Sequence, residues 1–240
     1  MKLRALVTRP RHEAATLAAL LAERGIDAVM EPMIDIVDRA AAPPDLAGVC
    51  AILCTSANGV RALAQASGER GVPVFAVGDA TARAARAAGF DRIESAGGDV
   101  EDLARLVTMR LRPAEGRLLH VAGSQVAGDL AGWLGAAGFV VDRAVLYEAR
   151  AAARLTPKTA DLIDRGEIDL ALFFSPRSAA IFARLASPLA TGLSVAAAIS
   201  ISVAADAGLG DLPFRERLIA AAPTQAALLA RVDELAGQLA

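Results

Sequence analysis

The sequence predicts an α/β fold built from two similar domains, each a parallel β-sheet flanked by helices. Three observations support this prediction. Short apolar runs of strand length alternate with helical patterns along almost the whole chain, as is typical of parallel sheets. Segments of the second half repeat segments of the first half. Two extended, polar crossings, near residues 31–45 and 146–156, interrupt the alternation.

The N-terminal stretch predicts a strand, a helix and a second strand. Residues 3–8 form the first strand, and 9–11 form a turn. Residues 12–24 form the helix, which ends at Gly25 because glycine readily takes the left-handed conformation found at helix C-termini. Residues 26–30 return as a strand, so the chain begins with the unit from which parallel sheets are built.

The alternation resumes after the first crossing. Segment 33–37 predicts an exposed strand, and Pro43 and Pro44 then block regular structure, so residues 31–45 are interpreted as a linker. Strands are then predicted at 49–54, 73–77, 92–94, 117–121 and 139–145, and helices at 58–67, 79–88, 99–111 and 125–137. After the second crossing the predicted order is helix 157–165, strand 169–174, helix 178–186, strand 193–198, helix 202–207, strand 217–221 and helix 224–237.

Four pairs of segments make up the internal repeat. They are 54–63 with 173–182, 76–89 with 197–210, 96–107 with 221–232, and 6–29 with 119–141. The last pair is aligned on Gly25 and Gly138, and it matches Leu20 with Trp133, which we therefore expect in the core. Alanine-rich helices resemble one another by chance, so the four pairs together indicate a duplication better than any one of them.

Composition excludes several classes of function. The net charge is −2, with 25 Lys and Arg against 27 Asp and Glu, so the basic excess of a nucleic-acid-binding protein is absent. No apolar run reaches the roughly 18 residues of a membrane span. The N-terminus shows no signal peptide, and Cys50 and Cys54 are interpreted as reduced core residues, so we expect a cytoplasmic protein.

Two serine-bearing turns at the ends of apolar strands are the main candidates for a site. One contains Thr55, Ser56 and Asn58, and the other contains Ser175 and Ser178. Ser56 or Asn58 can accept hydrogen bonds from the first free N–H groups of the following helix, and those N–H groups can instead hold an anion. Helix capping alone explains the first turn equally well. If the two turns face each other, they form a cleft rich in donors for anions.

Other candidates are less specific. Gly78 allows a close backbone approach before a helix that contains Thr81, but a glycine required only by the turn is as good an explanation. Arg9 follows a strand and can pair with a carboxylate, although surface arginines are common. Tyr147, the only tyrosine, lies on the second crossing, where its phenol can reach into a cleft as a proton donor or simply pack on one domain.

The usual equipment for covalent or metal-dependent catalysis is missing from the sequence. His12 and His120 have no metal-ligand spacing with each other or with the cysteines, and we interpret both as structural or surface residues. No Ser-His-Asp or Cys-His arrangement follows from the spacing. Neither a GxGxxG fingerprint nor a Walker pattern is present, so nucleotide binding has no support from a motif.

The chain resembles the uroporphyrinogen-III synthase family over nearly its full length. The matching segments are LVTRP at 6–10, CTSANGVRAL at 54–63, AVGDATARAARAAGF at 76–90, VLYEA at 145–149, FFSPRSAAIF at 173–182 and PTQAALLARV at 223–232. This resemblance implies two flavodoxin-like α/β domains joined by a two-stranded β-ladder. It also implies a discontinuous domain, residues 1–36 with 152–240, into which a second domain, residues 38–146, is inserted.

The resemblance implies a hydro-lyase of tetrapyrrole synthesis that needs no metal or organic cofactor. Its substrate is hydroxymethylbilane, which it closes to uroporphyrinogen III with loss of water and inversion of ring D. The enzyme is expected to act as a monomer, without nucleic acid or membrane partners. A cleft with helix N-termini, hydroxyl groups and a few arginines suits a substrate that carries many carboxylates.

The resemblance assigns Tyr147 to catalysis, as donor of a proton to the departing water or as the group that holds it. The expected substrate-binding residues are Arg9, Thr55, Ser56, Asn58, Gly78, Thr81, Ser175, Ser178, Ser200 and Ser202. The chain departs from the family in two places: Val203 stands where relatives carry a threonine, and an arginine is missing near Ala122. Ser200 or Ser202 is expected to substitute for the threonine.

Other functions remain open at this point. A non-catalytic two-lobed protein that senses an anionic metabolite in the cytosol has the same overall pattern, and a diverged paralogue is a further alternative. A Rossmann-type oxidoreductase is a third, although its fingerprint is missing. Incubation with hydroxymethylbilane discriminates between them, because a synthase forms isomer III whereas the spontaneous reaction gives isomer I.

Overall fold

The computed structural model describes residues 2–39, 42–125 and 128–239. The chain divides into two compact units: unit 1 comprises Met1–Asp35 and Arg150–Ala240, and unit 2 comprises Ile36–Ala149. The predicted first crossing includes residues 40 and 41, and the predicted helix 125–137 includes residues 126 and 127. These four positions lie outside the described residues.

Unit 1 contains a five-stranded sheet whose strands all run parallel. Its strands are β1 (Arg4–Val7), β2 (Asp27–Met30), β9 (Leu170–Phe173), β10 (Ala197–Ser200) and β11 (Glu216–Ile219). Its helices are α1 (Arg11–Glu23), α6 (Pro157–Asp164), α7 (Pro176–Ala186), α8 (Val203–Ala207) and α9 (Gln225–Leu239), and a 3₁₀ helix spans Ser187–Val195. The strand order is β11-β10-β9-β1-β2.

Unit 2 repeats this plan with one additional strand. Its strands are β3 (Ile34–Asp38), β4 (Val49–Cys54), β5 (Val74–Ala76), β6 (Ile93–Ser95), β7 (Arg117–Gly123) and β8 (Val141–Ala151). Its helices are α2 (Ala57–Ala66), α3 (Asp79–Ala87), α4 (Val100–Arg110) and α5 (Leu130–Ala136), with a short 3₁₀ helix at Pro113–Glu115. The strand order is β3-β8-β7-β4-β5-β6, and the five strands from β8 to β6 are parallel.

The internal repeat of the sequence has a direct counterpart in the two sheets. The repeat matches β9, β10, β1 and β2 with β4, β5, β7 and β8, and these strands take corresponding places in the two strand orders. Each sheet therefore has the same spatial arrangement, although the chain enters it at a different strand. The α/β architecture with parallel sheets flanked by helices is confirmed.

Both sheets are buried on their two faces, as strands in parallel sheets usually are. In β9, Leu170 and Leu172 pack on one side with α1 and α9, whereas Ala171 and Phe173 pack on the other side with α6 and α7. In unit 2, α4 and α5 cover one face of the sheet and α2 and α3 cover the other. This two-sided burial explains why the strands read as continuous apolar runs.

The second crossing is more regular than the sequence predicts. β8 extends from Val141 to Ala151 instead of ending at residue 145, because its pairing with β7 continues to the partners Gly123 and Tyr147 after a shift in register. β3 is its other neighbour in the sheet. The Arg39 N–H donates to the carbonyl of Leu146, and the Ala152 N–H donates to that of Met33, so β3 and β8 run in opposite directions.

Two further predictions were wrong. The strand predicted at 193–198 is preceded by the 3₁₀ helix, and β10 begins only at Ala197, where pairing with Leu170 of β9 sets the register. A continuous apolar run does not define such a register by itself. Trp133 does not lie in the core: it is 39% exposed, because Leu130 and Leu134 are the α5 residues that face the sheet.

One helical stretch in the described part of the chain, Pro176–Val195, is long and apolar enough to cross a membrane by length and composition alone. It is made of α7 followed by the 3₁₀ helix. Ala179, Phe182 and Leu193 are fully buried in the core of unit 1, so packing against the sheet accounts for part of its apolar character.

Candidate active site

In each unit the strand order reverses at one position, and polar side chains follow the strands on both sides of it. In unit 1 the reversal lies between β1 and β9, and in unit 2 between β4 and β7. Ligands of open α/β sheets bind beyond the carboxyl ends of the strands at such a reversal. The serine-bearing turns of the sequence follow β4 and β9, so both are correctly positioned for a ligand site.

Ser56 is the N-cap of α2. Its side chain accepts a hydrogen bond from the Gly59 N–H at 3.1 Å. A Cβ atom at Gly59 would lie 3.1 Å from the carbonyl oxygen of Val121, so the absence of a side chain there brings the first turn of α2 close to β7. Asn58 lies inside the helix and accepts from Arg61 at 2.6 Å. Of the two capping residues that the sequence offers, the structure uses Ser56.

Tyr147 contacts this turn directly. Its hydroxyl group lies 2.7 Å from the Oγ atom of Ser56. Of the two alternatives that the sequence left open for Tyr147, the structure shows the ring packed on one unit: Tyr147 belongs to β8, is 8% exposed and lies in the core of unit 2 with Cys54 and Val121. β8 is an integral strand of the sheet, and this carries the ring into the core while the phenol oxygen reaches the α2 cap.

Thr55 points to a second group of polar side chains in unit 2. Its Oγ1 atom lies 3.4 Å from Nε2 of His120, which is 4% exposed. Burial lowers the pKa of His120 to about 4, and the positive charge of Arg143 contributes in the same direction. The imidazole is therefore neutral at neutral pH. Arg143 is exposed, donates to the carbonyls of Gly123 and Ser124, and forms no ion pair with any described residue.

Gly78 and Thr81 belong to the next strand–helix junction of unit 2. Gly78 is the N-cap of α3, with an extended backbone that any residue can adopt. If a Cβ atom were added to Gly78, the nearest atom of another residue, the carbonyl oxygen of Gly98, would lie 3.8 Å away. Neither backbone strain nor close packing therefore requires a glycine at this position. Thr81 is buried in the first turn of the helix.

Ser175 is the helix N-cap in unit 1 that corresponds to Ser56 in unit 2. It caps α7 by accepting from the Ser178 N–H at 3.1 Å, and its hydroxyl donates to Oγ of Ser178 at 3.0 Å. Ser178 itself is buried. The two serines thus interact with each other, and the hydroxyl of Ser175 has no tyrosine partner of the kind that Ser56 has.

Arg9 is already engaged within unit 1. It forms an ion pair with Glu13, donates to Gln225 at 2.9 Å, and lies over the ring of Phe174 at 4.4 Å from the ring centroid. A ligand carboxylate at this arginine would compete with the Glu13 carboxylate. The sequence could not reveal this, since Gln225 and Phe174 are far from Arg9 along the chain.

The alignment of Val203 with the threonine position was wrong by two residues. Cys54 pairs with Ala76, and the equivalent Phe173 pairs with Ser200, so Ser200 corresponds to Ala76 and not to Gly78. Ser202 is the N-cap of α8 and accepts from the Ala205 N–H at 3.2 Å.

This correction changes which residues substitute for one another. Ser202 takes the place of Gly78, and Ala205 takes the place of Thr81. Ser200 is fully buried and donates to Asp206 at 3.5 Å, and Arg217 forms an ion pair with that same carboxylate. Ser200 therefore contributes to a polar contact inside unit 1.

The described residues contain no group of three or more His, Cys, Asp or Glu side chains that could hold a metal ion. What they do offer at the carboxyl edge of unit 2 is a phenol hydrogen-bonded to a serine, a neutral imidazole, an exposed guanidinium and helix N-termini. Such an arrangement can bind carboxylates and supply one proton, which is the chemistry that an acid-assisted loss of water requires.

A family model described as Uroporphyrinogen-III synthase HemD matches residues 15–230. The chain belongs to the uroporphyrinogen-III synthase family. It is a cofactor-independent lyase of tetrapyrrole biosynthesis, as the members of this family are. The expectation of a hydro-lyase that closes hydroxymethylbilane is thereby confirmed at the level of the family.

Solved structures of this family have the same fold. Uroporphyrinogen-III synthetase from Helicobacter pylori 26695 is 16% identical, with a TM-score of 0.66 over 98% of this chain and 100% of that one. A mutant uroporphyrinogen III synthase from the extremely thermophilic bacterium Thermus thermophilus is 18% identical, with a TM-score of 0.54 over 99% of this chain and 100% of that one. Comparison with curated proteins gave no match.

Gly123 and Arg143 were not among the site residues expected from the sequence, and His120 was interpreted as a structural or surface residue. Gly123 ends β7 at the reversal of the strand order, and a glycine at the end of a central strand is a signal that could have been used. Arg143 lies inside a strand and His120 follows two leucines, so neither position stands out before the sheet is assembled.

Proposed function

We propose that this chain is a uroporphyrinogen-III synthase, which converts hydroxymethylbilane to uroporphyrinogen III with loss of water and inversion of ring D. The observation that carries the proposal is the family match over residues 15–230. The pairing of the Tyr147 hydroxyl with Ser56 supports it, because the reaction needs a proton donor beside an anion-binding edge.

The proposed architecture is that of two flavodoxin-like domains. The order of the first sheet, counted along its own strands, is 2-1-3-4-5, which is the flavodoxin order. One domain comprises residues 1–36 with 152–240, and the other comprises residues 38–146. The antiparallel strands β3 and β8 form the two-stranded linker, with crossings near 31–45 and 146–156.

The proposed chemical step begins at the hydroxymethyl group of the substrate. Tyr147 donates its phenol proton to that oxygen, the carbon–oxygen bond breaks, and water leaves. The electron-rich pyrrole stabilises the resulting cation, so no covalent enzyme intermediate is needed. For ring D to be inverted, it attacks the cation through the α-carbon that already carries its bridge to ring C, which gives a spiro intermediate. That bridge bond then breaks and leaves a pyrrole-stabilised cation on ring C. The free α-carbon of ring D closes on this cation, and the proton it loses when the pyrrole regains its aromaticity returns to the phenolate. The protein's other contribution is to hold the two ends of the linear tetrapyrrole in the reacting geometry.

The proposed substrate-binding residues hold the acetate and propionate groups. They are Arg9, Thr55, Ser56, Asn58, Gly78, Thr81, Ser175, Ser178, Ser200 and Ser202. Ser56, Ser175 and Ser202 cap helices, so a carboxylate at these turns also meets the free backbone N–H groups of the first helical turn. Truncation of one such side chain should therefore weaken the binding of the substrate carboxylate only mildly, because the backbone donors remain.

The remaining features of the proposal follow from the family. The enzyme works in the cytoplasm as a monomer, its ligand is the small-molecule tetrapyrrole, and it uses neither nucleic acid nor membrane. Analytical ultracentrifugation of the purified protein tests the monomer: a single species with the mass of one chain is expected, and a stable dimer at micromolar concentration would contradict it.

The decisive experiment is a coupled assay. Hydroxymethylbilane is generated enzymatically, this protein is added, and the uroporphyrin isomers are separated after oxidation. Isomer III should predominate and increase in proportion to the protein. Isomer I alone, at the rate of the spontaneous reaction, would overturn the proposal and favour a non-catalytic sensor of anionic metabolites or a diverged paralogue. Tyr147→Phe should lower kcat by about 100-fold, the lower end of the range for a general acid.

A further inference from the structure

The oxygen of Tyr147 and the N-terminus of α2 are connected by hydrogen bonds. The Gly59 N–H donates to Oγ of Ser56 at 3.1 Å, and Oγ of Ser56 lies 2.7 Å from the Tyr147 hydroxyl. In the described part of the chain, Ser56 makes no other side-chain hydrogen bond. The free N–H end of a helix carries partial positive charge, and Ser56 links that end to the phenol.

By geometry alone, either oxygen of this pair could be the donor. A serine hydroxyl carries one proton and two lone pairs. One lone pair of Ser56 is taken by the Gly59 N–H, and the only acceptor within reach of its proton among the described residues is the oxygen of Tyr147. With Ser56 as donor, the phenol keeps its own proton for a group outside the protein. In the reverse direction Ser56 would hold the phenol proton, and its own proton would face solvent, since Ser56 is only partly buried.

Gly123 fixes the ring from the other side. A Cβ atom at this position would lie 2.9 Å from both Cε2 and Cζ of Tyr147 and 3.2 Å from its hydroxyl oxygen. Separations below 3.0 Å require something to shift, so the ring occupies space that any other residue would fill. The backbone of Gly123 does not require a positive φ, which leaves the contact with Tyr147 as the reason for a glycine here.

The end of β7 is itself held in place. Arg143 donates to the carbonyls of Gly123 at 2.7 Å and Ser124 at 3.1 Å, and the Ser124 N–H donates to the carbonyl of Tyr147 at 3.0 Å. The peptide that faces the ring is therefore tied both to β8 and to a side chain on β8. These hydrogen bonds oppose a displacement of Gly123. A methyl group added at this position would therefore displace the ring of Tyr147 rather than the backbone of β7.

We propose that Ser56 and Gly123 are positioning residues for Tyr147, which together hold the phenol oxygen in one place with its proton directed away from the protein. This inference rests on the proposed function, since it specifies how the phenol that acts as the acid in that reaction is positioned and oriented. Ser56 fixes the oxygen by donating to it, and Gly123 leaves free the space that the ring occupies.

The experiment uses Gly123→Ala, Ser56→Gly, Ser56→Thr and Tyr147→Phe in the full chain. Gly135→Ala is the matched glycine control, because nothing lies within 4 Å of a Cβ at that exposed helical position. Ser56→Gly removes the hydroxyl at a cost of only a few tenths of a kcal/mol in capping. Ser56→Thr keeps both the hydroxyl and the cap. Each variant is assayed for kcat and KM in the coupled assay.

Tyr147 is the only tyrosine of the chain, so an isotope label at tyrosine Cζ gives a single resonance that reports on its hydrogen bond. Gly123→Ala is expected to lower kcat by about 10- to 100-fold with KM nearly unchanged, because a displacement near 1 Å in a reacting group costs about that much. It should also shift the tyrosine resonance. Ser56→Gly should shift the resonance and lower kcat by about tenfold, and Ser56→Thr should restore both.

Different failures identify different errors. Wild-type protein that forms no isomer III overturns the proposed function. If the wild type is active and the Tyr147→Phe variant is equally active, the proposed function stands but the positioning inference is overturned. The phenol of Tyr147 is then not the acid, so its position has no effect on the reaction. A slow Tyr147→Phe variant beside Gly123→Ala and Ser56→Gly variants with wild-type kcat and resonance also overturns it. If Gly123→Ala does not fold, the Ser56→Gly and Ser56→Thr pair decides the question alone.

Discussion

Ser56 and Ser175 cap their helices with the same backbone conformation and the same hydrogen bond. Their φ and ψ angles are −158° and 153° for Ser56 and −158° and 150° for Ser175, and each accepts from the N–H three residues later at 3.1 Å. They differ in the partner of the hydroxyl, which is Tyr147 for Ser56 and Ser178 for Ser175. The internal repeat has therefore kept the cap and changed what it contacts.

This pair gives the first prediction. Ser56→Ala and Ser175→Ala should each lower the free energy of unfolding of their own unit by about 1 kcal/mol, the usual cost of losing a serine N-cap. Urea unfolding followed by circular dichroism measures the loss. Only Ser56→Ala should also alter the tyrosine fluorescence of the folded protein. Equal effects of both variants on that fluorescence would contradict the difference in partners.

His120 should make unit 2 less stable in acid. Its pKa is lowered to about 4 by burial, with a contribution from Arg143, whereas an unfolded chain has a histidine pKa near 6.5. Between these two pH values His120 is protonated in the unfolded state but not in the folded state. The free energy of unfolding therefore falls as the pH falls. The full loss, reached below about pH 4, is roughly 3 kcal/mol.

A comparison of unfolding at pH 7 and pH 5 tests this contribution. His120→Asn should lose less stability on acidification than wild type, because asparagine takes up no proton. His12→Asn, at an exposed histidine of the other unit, is the control and should retain the wild-type difference. The hypothesis is wrong if His120→Asn and wild type show the same loss between the two pH values.

Glu31 and Thr156 should be energetically coupled. The Glu31 carboxylate is 2% exposed and accepts from the backbone N–H of Thr156 at 3.1 Å and from its hydroxyl at 2.5 Å. Hydrogen bonds to charged groups contribute about 1.5–3 kcal/mol each. Thr156→Val and Glu31→Gln should therefore each destabilise unit 1, and the double variant should lose about 1–2 kcal/mol less than the sum. Additive losses in urea unfolding would exclude the coupling.

Gly192 should tolerate no side chain. A Cβ atom there would lie 1.8 Å from the carbonyl oxygen of Ile163, so the 3₁₀ helix and α6 would have to separate. Gly192→Ala is expected to destabilise unit 1 by about 3 kcal/mol or more, the upper range for overpacking. Gly237→Ala, with nothing within 4 Å, should instead stabilise α9 by roughly 0.5–1 kcal/mol. Thermal unfolding of both variants provides the comparison, and similar melting temperatures would refute it.

Most helices and strands could be predicted from the sequence because their patterns are local. β4 was predicted at 49–54 and observed at Val49–Cys54, and α6 was predicted at 157–165 and observed at Pro157–Asp164. The errors lie where local pattern leaves register undefined. The apolar run before β10 is compatible with several strand starts, and only pairing with β9 selects Ala197. The length of β8 likewise depends on how far β7 continues beside it.

The candidate site could be predicted less completely. Ser56 and Ser175 follow strands and precede helices, so their capping role is visible in sequence. The contact of Ser56 with Tyr147 joins residues 91 positions apart, and Arg9 meets Gln225 across 216 positions. No periodicity encodes such contacts, and their partners decide whether a polar group faces a ligand or another part of the chain.

The sequence by itself determined the alternation of strands and helices, the internal repeat and the resemblance to one family, because hydrophobic periodicity and capping residues act over a few neighbouring positions. Only the tertiary structure decided that Tyr147 lies in the core of unit 2 with its oxygen on Ser56, and that Gly123 makes room for its ring. Side chains from β4, β7 and β8 meet at one edge because parallel pairing aligns the ends of those strands, and that alignment exists only in the assembled sheet.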